Sequence, residues 1–224
     1  MVYFDFLDTP FFFRGFRVNK ILTDKVINRL TLYHSILNDY VKRDIEFISS
    51  PQIAELLHID NTQVRKDIAA LGCKGKCNAG YNAEELRLRI EDVLKFKTVK
   101  TAVIIGAGNL GTALAKYDNF EAYGFKITAM FDNDPLKIGL KIKDKEIFYL
   151  KELPDIISKY GVKIAILTVP EISAQEAADF LVKSGIKYIW NFTPSVLNVP
   201  KEIQVWNENL TGNLLRFTAG IQDS

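Results

Sequence analysis

The sequence has little cysteine, little histidine and almost no net charge. Its 224 residues include two cysteines and two histidines, and the formal net charge is +2 at pH 7. So few cysteines do not fit a disulfide-stabilised secreted domain, and they indicate a protein of the reducing cytosol. A net charge this small creates no global basic field, so any surface that binds nucleic acid has to be local.

Long apolar runs are also missing. A membrane-spanning helix needs about 18–20 consecutive apolar residues, and the chain has no such run. The first 19 residues are rich in phenylalanine, but they lack the ordered basic, apolar and small-residue regions of a signal peptide. We interpret residues 1–22 as a leader: an upstream extension, a misassigned start or a poorly ordered tail. The alternative is a short strand or an aromatic anchor on a partner.

Metal ligands and catalytic groups are scarce as well. Cys73 and Cys77 have C-x-x-x-C spacing, but two thiols do not complete a tetrahedral zinc site, and His34 and His58 lie far from them in sequence. A hydride-transferring enzyme needs a proton relay, and no substrate domain large enough to hold one follows the nucleotide-binding region. We therefore predict no metal site, no catalytic residue and no enzyme activity.

What the sequence does contain is a dinucleotide-binding pattern in residues 101–132. A short β-branched run there predicts a buried strand, and it leads into three glycines at the G-x-G-x-x-G spacing: Gly106, Gly108 and Gly111. A helix then begins, where the phosphates of a nucleotide would lie. The next strand ends on Asp132, at the distance where an acid accepts both ribose hydroxyls. A tight turn without a ligand is the alternative, but it would not explain the acid.

Strands and helices continue to alternate after Asp132, which predicts a parallel, doubly wound sheet of the Rossmann type. Loops at the carboxyl ends of its strands should line the ligand crevice. Tyr117, which follows the first helix, either contacts the ligand or belongs to the core. The predicted nucleotide site comprises Gly106, Ala107, Gly108, Asn109, Leu110, Gly111, Tyr117, Asp132, Asn133, Thr168, Val169, Pro170, Asn191 and Phe192.

The region before this sheet predicts a winged helix-turn-helix. Apolar periodicity and cap residues indicate helices at residues 24–41, 52–57, 61–71 and 83–96, with Ser50 as the cap of the second. Residues 73–81 form a small-residue loop with two lysines, which we interpret as a β-wing. The third helix places Val64, Ile68 and Leu71 on one face and Arg65, Lys66 and Asp67 on the other. A helix in this position enters the major groove of DNA.

Residues on the third helix and the wing are the candidate DNA contacts. Lys66 and Arg65 are expected to face bases or phosphates, and Gln63 is expected to offer its amide to a base edge. For each of these charges the alternative is a solvated surface position. The full predicted set is Ser50, Asn61, Gln63, Arg65, Lys66, Lys74, Lys76 and Tyr81.

This order of domains, with these motifs, resembles the Rex family of bacterial redox-sensing transcriptional repressors. The resemblance rests on residues 63–67, 106–111, 131–135, 168–170 and 191–194, together with Gly72, Gly80 and Tyr81. It implies a cytoplasmic homodimer that binds a palindromic operator and is released by NADH. It also implies a division into a DNA-binding domain at 23–97, an NAD(H)-binding domain at 98–206 and a helix at 207–224 that is exchanged between subunits.

The sequence departs from that family at three positions. Cys77 and Ser35 stand where the family usually has arginine, and Asn209 stands where it usually has an acid. The resemblance implies that in the family this acid forms an ion pair with the arginine that matches Ser35. The pair couples nucleotide binding to DNA binding. With the pair missing, we expect weaker discrimination between NADH and NAD unless another cation, Arg29 or Arg216, replaces it.

Two further expectations concern specificity and alternatives. Asp132 and Asp134 would repel a 2′-phosphate, which favours NAD(H) over the phosphorylated cofactor, with Lys137 as the opposing charge. An NAD-dependent oxidoreductase with a fused helical domain is the alternative to a repressor. A third hypothesis is a DNA-binding module whose nucleotide site is only structural.

Overall fold

The apolar residues of the chain collect into separate cores on either side of residue 98. The computed structural model describes residues 23–77 and 79–219, so the prediction of a leader at residues 1–22 lies outside them. The chain divides into two compact units between Thr98 and Val99. None of the described helices combines the length and apolarity that crossing a bilayer requires.

The first unit is helical with a small antiparallel sheet. Its elements are α1 (Asp24–Lys42), β1 (Phe47–Ile48), α2 (Ser50–Leu57), α3 (Asn61–Ala70), β2 (Tyr81–Asn82) and α4 (Ala83–Leu94). The helices pack around a core that includes Leu30, Tyr33, Ile53, Ile68 and Ile90, all fully buried. This confirms the predicted helix-turn-helix.

Caps fix where the second and third helices begin. Ser49, not Ser50, is the cap of α2: its hydroxyl accepts from the Gln52 N–H, and the Gln52 side chain accepts from the Ser49 N–H at 2.8 Å. Ser50 is the first helical residue and is buried. Asp60 caps α3 by accepting from the N–H groups of Thr62 and Gln63. A capping oxygen satisfies N–H groups that the helix itself leaves unpaired.

The predicted wing pairs with a strand that the sequence did not reveal. Phe47 lies opposite Asn82 and Ile48 opposite Tyr81, which makes β1 and β2 an antiparallel pair. Two residues are too few to show a period, so β1 carried no pattern.

The second unit is a seven-stranded sheet with helices on both faces. Its elements are β3 (Lys100–Ile105), α5 (Asn109–Ala115), α6 (Asn119–Ala122), β4 (Phe125–Asp132), β5 (Lys141–Ile142), β6 (Lys145–Tyr149), α7 (Leu153–Tyr160), β7 (Ile164–Leu167), α8 (Glu171–Lys183), β8 (Tyr188–Asn191), β9 (Gln204–Asn207) and α9 (Leu210–Thr218). The strand order is β5-β6-β4-β3-β7-β8-β9, and the pairs are parallel except β5 with β6. The doubly wound sheet is therefore confirmed, with one antiparallel edge.

The strand order places a crevice at the middle of the sheet. The chain passes from β3 to β4 on one side and later returns to β7 on the other side of β3. Ligands bind at such a switch point, outside the carboxyl ends of the strands. One face of the sheet packs against α7 and α8, and the other face packs against the shorter α5 and α6.

The carboxyl-terminal helix forms as the sequence predicts, and its apolar side chains are uncovered in a single chain. Their exposed fractions are 55–62%: Leu210, Leu214, Leu215 and Phe217. The strand before it, β9, was not predicted, because its alternation is too short to distinguish from a loop.

Candidate functional site

The glycine-rich turn between β3 and α5 has the geometry that its sequence predicts. Gly106 has φ +102°, and a Cβ atom there would lie 2.8 Å from the Thr168 carbonyl oxygen. A Cβ on Gly111 would lie 2.0 Å from the Gly106 carbonyl oxygen, whereas one on Gly108 would meet nothing within 4 Å. The turn therefore packs tightly on its inner side and leaves Gly108 open, which is how a backbone approaches a pyrophosphate.

Asp132 lies at the end of β4, and three donors hold its carboxylate. The Ala107 N–H donates to Oδ2 at 2.8 Å, the Asp134 N–H donates to Oδ1 at 2.9 Å, and Lys137 Nζ lies 3.1 Å from Oδ2. Burial raises the pKa of Asp132, but these donors outweigh it, so the pKa lies below its ordinary value. Asp132 is thus ionised at neutral pH and joins the glycine-rich turn to the loop after β4.

Lys137 has a second role besides the one that the sequence suggested, a positive charge opposing Asp132 and Asp134. Its ammonium group pairs with Asp132 and lies 3.8 Å from Asp134 Oδ2. Two carboxylates and one ammonium leave a net negative charge at this end of the site, although a smaller one than the two acids alone would give.

A crevice of about 740 Å³ opens beside these groups, and it contains half of the predicted nucleotide residues. Those in its lining are Gly106, Gly108, Asp132, Asn133, Thr168, Val169 and Pro170. Glycines that leave the turn open, an ionised acid at the strand end and a crevice of this size fit a dinucleotide. The lining also includes residues of α8 that were not predicted, among them Ser173 and Phe180. Pro170 marks the start of α8 and so places Ser173 beside the β7 loop, whereas the position of Phe180, further along the helix, depends on how α8 packs.

The other predicted nucleotide residues lie outside that lining. Asn191 is fully buried, and its amide holds the following loop through the Ser195 carbonyl oxygen at 2.9 Å and Asn207 Oδ1 at 2.8 Å. Phe192 packs on Trp190, with ring centroids 4.9 Å apart. Ala107, Asn109, Leu110 and Gly111 form the turn and the first residues of α5.

Tyr117 follows α5 and is not a core residue. Its side chain is 52% exposed, packs edge-on against Phe120 with centroids 4.9 Å apart, and accepts a hydrogen bond from Asn119 at 3.1 Å. An exposed ring in this place is available to a ligand.

The outer face of α3 presents two cations. Arg65 and Lys66 are exposed, and Arg65 Nε donates to Ser50 Oγ at 3.2 Å, which ties α3 to α2. Asp67 does not share this face: it is 3% exposed and points into the core of the unit, so its predicted outward placement was wrong. At ten residues, α3 is too short for its period alone to assign a polar residue to either face.

Asp67 is the acceptor of a buried network. Arg29 donates to it twice, from Nε at 2.6 Å and Nη2 at 2.8 Å, while the Tyr33 hydroxyl and Gln63 Nε2 each donate at 2.8 Å. Burial raises the pKa of Asp67, but these donors outweigh it and the pKa lies below its ordinary value. Arg29 is therefore committed to Asp67, and the expectation that it was an available cation was wrong.

The wing carries the other predicted DNA residues. Lys74 and Lys76 are exposed, and Lys76 Nζ lies 5.0 Å from the centroid of the Phe47 ring, a cation–π distance. Tyr81 and Asn61 are half-buried. Cys73 and Cys77 are free thiols, and the residues described here contain no group of three or more histidine, cysteine or acidic residues placed to hold a metal.

The positions that depart from the family pattern have local roles. Ser35 is exposed on α1. Asn209 is the cap of α9, since its Oδ1 accepts from the Gly212 N–H at 2.7 Å. Arg216 lies exposed in the last turn of that helix.

Comparison with known proteins gives matches to both units. A family described as "Putative DNA-binding protein N-terminus" matches residues 22–69, and one described as "CoA binding domain" matches residues 97–195. The redox-sensing transcriptional repressor Rex of Clostridioides difficile (strain 630) is 42% identical over 200 residues, which is 89% of this chain and 95% of that protein. The protein of the same name from Clostridium botulinum (strain Hall) is 40% identical over 199 residues, with the same coverage of each.

Solved structures resemble the chain over a similar length. A crystal structure of RSP in complex with β-NAD+ and operator DNA has a TM-score of 0.80 at 38% identity, covering 88% of this chain and 91% of that one. A structure of RSP in complex with β-NADH has a TM-score of 0.77 at 37% identity, covering 88% and 93%.

Proposed function

Because the chain belongs to the Rex family of redox-sensing transcriptional repressors, we propose that it binds operator DNA through α3 and the wing and is released when NADH occupies the crevice of the second unit. The observation that carries this proposal is that one chain contains both sites. The capped helix α3 exposes Arg65 and Lys66, and the second unit has an ionised Asp132 beside an open glycine turn. Relatives of the chain are named as repressors, not as enzymes.

The nucleotide is an effector in this proposal, and its oxidation state is the signal. Gly108 leaves room for the phosphates, Asp132 accepts from the ribose of the adenosine half, and Thr168 and Pro170 border the crevice further along the sheet. Tyr117, after α5, supplies an exposed ring that packs against Phe120. No residue of the chain has to transfer a proton for this function.

We further propose a homodimer in which α9 packs on the second copy. Four apolar side chains of α9 expose most of their surface in a single chain, which is uncommon on one short helix without a partner: Leu210, Leu214, Leu215 and Phe217. A second uncovered surface is the cavity of about 720 Å³ lined by Phe125, Trp190 and other residues at the amino ends of the strands. Two α3 helices related by a two-fold axis would read two half-sites, one or more turns of DNA apart.

A titration tests the function. We expect the full chain to bind an operator selected from random duplexes and to lose affinity as the NADH:NAD ratio rises, measured by fluorescence anisotropy. Lys66→Ala should weaken binding to both half-sites at once, and unchanged operator affinity in this variant would refute the placement of α3 on DNA. Consumption of NADH with common carbonyl substrates would support the oxidoreductase instead.

The place of action is part of the same proposal. A repressor of genes works where the chromosome is, which for a bacterial protein is the cytoplasm. Two free thiols among the described residues, Cys73 and Cys77, fit a reducing compartment.

A further inference from the structure

Gln63 is a polar side chain of α3 that hydrogen-bonds to a buried carboxylate and also reaches solvent. Its Nε2 donates to Asp67 Oδ1 at 2.8 Å, while the residue as a whole is half-buried in the first turn of the helix. The first turns of a recognition helix are the part that contacts base edges. The orientation of this amide therefore decides which bases it can recognise.

The Asp67 carboxylate fixes that orientation. Each of its oxygens accepts two hydrogen bonds: Oδ1 from Gln63 and Arg29 Nη2, and Oδ2 from Arg29 Nε and Tyr33. An ionised carboxylate accepts and never donates. The reversed amide would place its oxygen against a buried negative charge, so the Gln63 NH2 group has to point toward Asp67.

The amide oxygen of Gln63 is consequently the group left for a ligand. Among buried side-chain polar atoms of the residues that the structure describes, Asn61 Oδ1 is the one without a hydrogen-bond partner. Gln63 Oε1 accepts no hydrogen bond within that part of the chain either, so it is not buried and reaches solvent. Arg65 and Lys66, by contrast, present only donors.

We propose that Asp67 is a positioning residue which makes Gln63 present its carbonyl oxygen to the major groove, so that each half-site contains an adenine or a cytosine that Gln63 selects. Adenine N6 and cytosine N4 carry amino groups in that groove, whereas guanine and thymine present acceptors there. A carbonyl oxygen accepts from the first pair and is repelled by the second. The inference rests on the proposed DNA-binding function and names the base class that one of its residues reads.

The test uses the full chain and a selected operator in which every base pair is substituted in turn. We expect one position in each half-site where adenine or cytosine is favoured about 5- to 150-fold over guanine and thymine. Gln63→Ala should abolish the preference at this position alone. Asp67→Asn should also remove it, because an amide can donate or accept and so no longer fixes Gln63, while affinity for unrelated DNA and for NADH stays unchanged.

A matched control separates positioning from stability. Tyr33→Phe removes a different hydrogen bond from the same carboxylate and leaves the Gln63 bond in place, so the base preference should persist. If Gln63→Ala retains the full preference, or if a folded Asp67→Asn does, the inference is wrong. A wild type that selects no sequence at all would instead refute the proposed operator binding.

A measurement on the wild type covers the case in which Asp67→Asn does not fold. The side-chain NH2 protons of Gln63, assigned by their loss in Gln63→Ala, should exchange with solvent more slowly than those of Gln52. Gln52 is a suitable reference because it is exposed and accepts from Ser49 through its oxygen, not its nitrogen. Equal exchange rates would show that Asp67 does not hold the amide.

Discussion

Asp67 in the first unit and Asp132 in the second are both ionised carboxylates at the edge of a proposed binding surface, yet they serve different purposes. Asp67 is 3% exposed, and all four of its acceptor positions are occupied by its own unit. Asp132 has a side chain 15% exposed and accepts three hydrogen bonds, which leaves one position facing a crevice. Saturation, more than burial, separates the acid that shapes a surface from the acid that binds a ligand.

The largest effect is expected when each of the two acids is replaced by alanine and the losses of stability are compared. Asp67→Ala leaves the Arg29 guanidinium buried and unpaired, which we expect to cost about 3–5 kcal/mol of the stability of the first unit. Asp132→Ala leaves Lys137 able to hydrate, so the cost should be about 1 kcal/mol or less. Both tryptophans, Trp190 and Trp206, lie in the second unit. Fluorescence therefore follows that unit alone, while circular dichroism at 222 nm follows both during urea unfolding.

The opposite outcome is informative. Equal losses of stability from the two alanine variants would mean that the carboxylates are structurally equivalent, and the distinction between them would fail.

A second prediction concerns the glycines of the crevice. Gly111→Ala places a Cβ 2.0 Å from the Gly106 carbonyl oxygen, and we expect overpacking to cost the second unit about 1–3 kcal/mol. Gly108→Ala is the matched control, because its Cβ meets nothing within 4 Å of the protein. It should keep the unit stable and still weaken NADH binding, measured by calorimetry. Unaltered NADH affinity in Gly108→Ala would show that phosphates do not lie over this residue.

The link between the units gives a third prediction. Ser35 and Asn209 cannot form the ion pair that the family resemblance implies, and a ligand shifts an equilibrium only by its differential affinity for the two states. Ser35→Arg combined with Asn209→Asp should steepen the loss of operator affinity with rising NADH:NAD ratio, by about 1–3 kcal/mol of coupling. Asn209→Asp alone is the control, since aspartate also caps α9. A wild type that already switches steeply, unimproved by the double change, would make the pair dispensable.

A fourth prediction tests the choice of cofactor. We expect the chain to bind NADH more tightly than NADPH. Asp132→Ala should reduce the ratio of the two affinities by about tenfold, or 1.4 kcal/mol, because it removes a carboxylate that repels the 2′-phosphate. Lys137→Ala is the converse variant and should widen the gap, since its ammonium lies 3.1 Å from Asp132 Oδ2. NADPH affinity equal to that of NADH in the wild type would contradict the assignment.

The last prediction, which has the smallest effect at neutral pH, concerns how the stability of the first unit depends on pH. The folded pKa of Asp67 lies below its ordinary value of about 3.9, so its contribution to stability is complete above that pH and is lost as the pH falls through the folded value. Unfolding in urea between pH 7 and pH 2 should therefore show a decline at the acid end that Asp67→Asn reduces. A decline that is unchanged in this variant would assign it to other carboxylates.

Sequence reasoning predicted the crevice of the candidate site in the second unit, because glycines, an acid and strand ends act through backbone geometry. Gly106, Gly108 and Asp132 occupy the places that spacing predicts. It did not find Ser173 or Phe180, whose presence in the crevice depends on how α8 packs against β7.

In the first unit the pattern of helices was predictable and the direction of one polar residue was not. Asp67 is the last of three consecutive charged residues, 65–67, a pattern that predicts a solvent-facing position. Its burial is favourable only because of Arg29 and Tyr33, which lie more than thirty residues earlier in the chain. Long-range pairing of this kind leaves no periodic signal in a sequence. The cap of α2 is a local case: Ser49 and Ser50 are both possible caps in the sequence, and only the backbone geometry assigns the role to Ser49.

The position of β9 bears on how the protein is synthesised. The core of the first unit closes with α4, whereas the sheet of the second unit lacks its edge strand until Gln204–Asn207 has been made. Roughly 110 residues separate these points, which a ribosome translates in about 5–20 s. Each domain generally folds as a unit while it emerges from the ribosome. We therefore expect the helix-turn-helix of a nascent chain to be folded well before the second unit can bind a nucleotide.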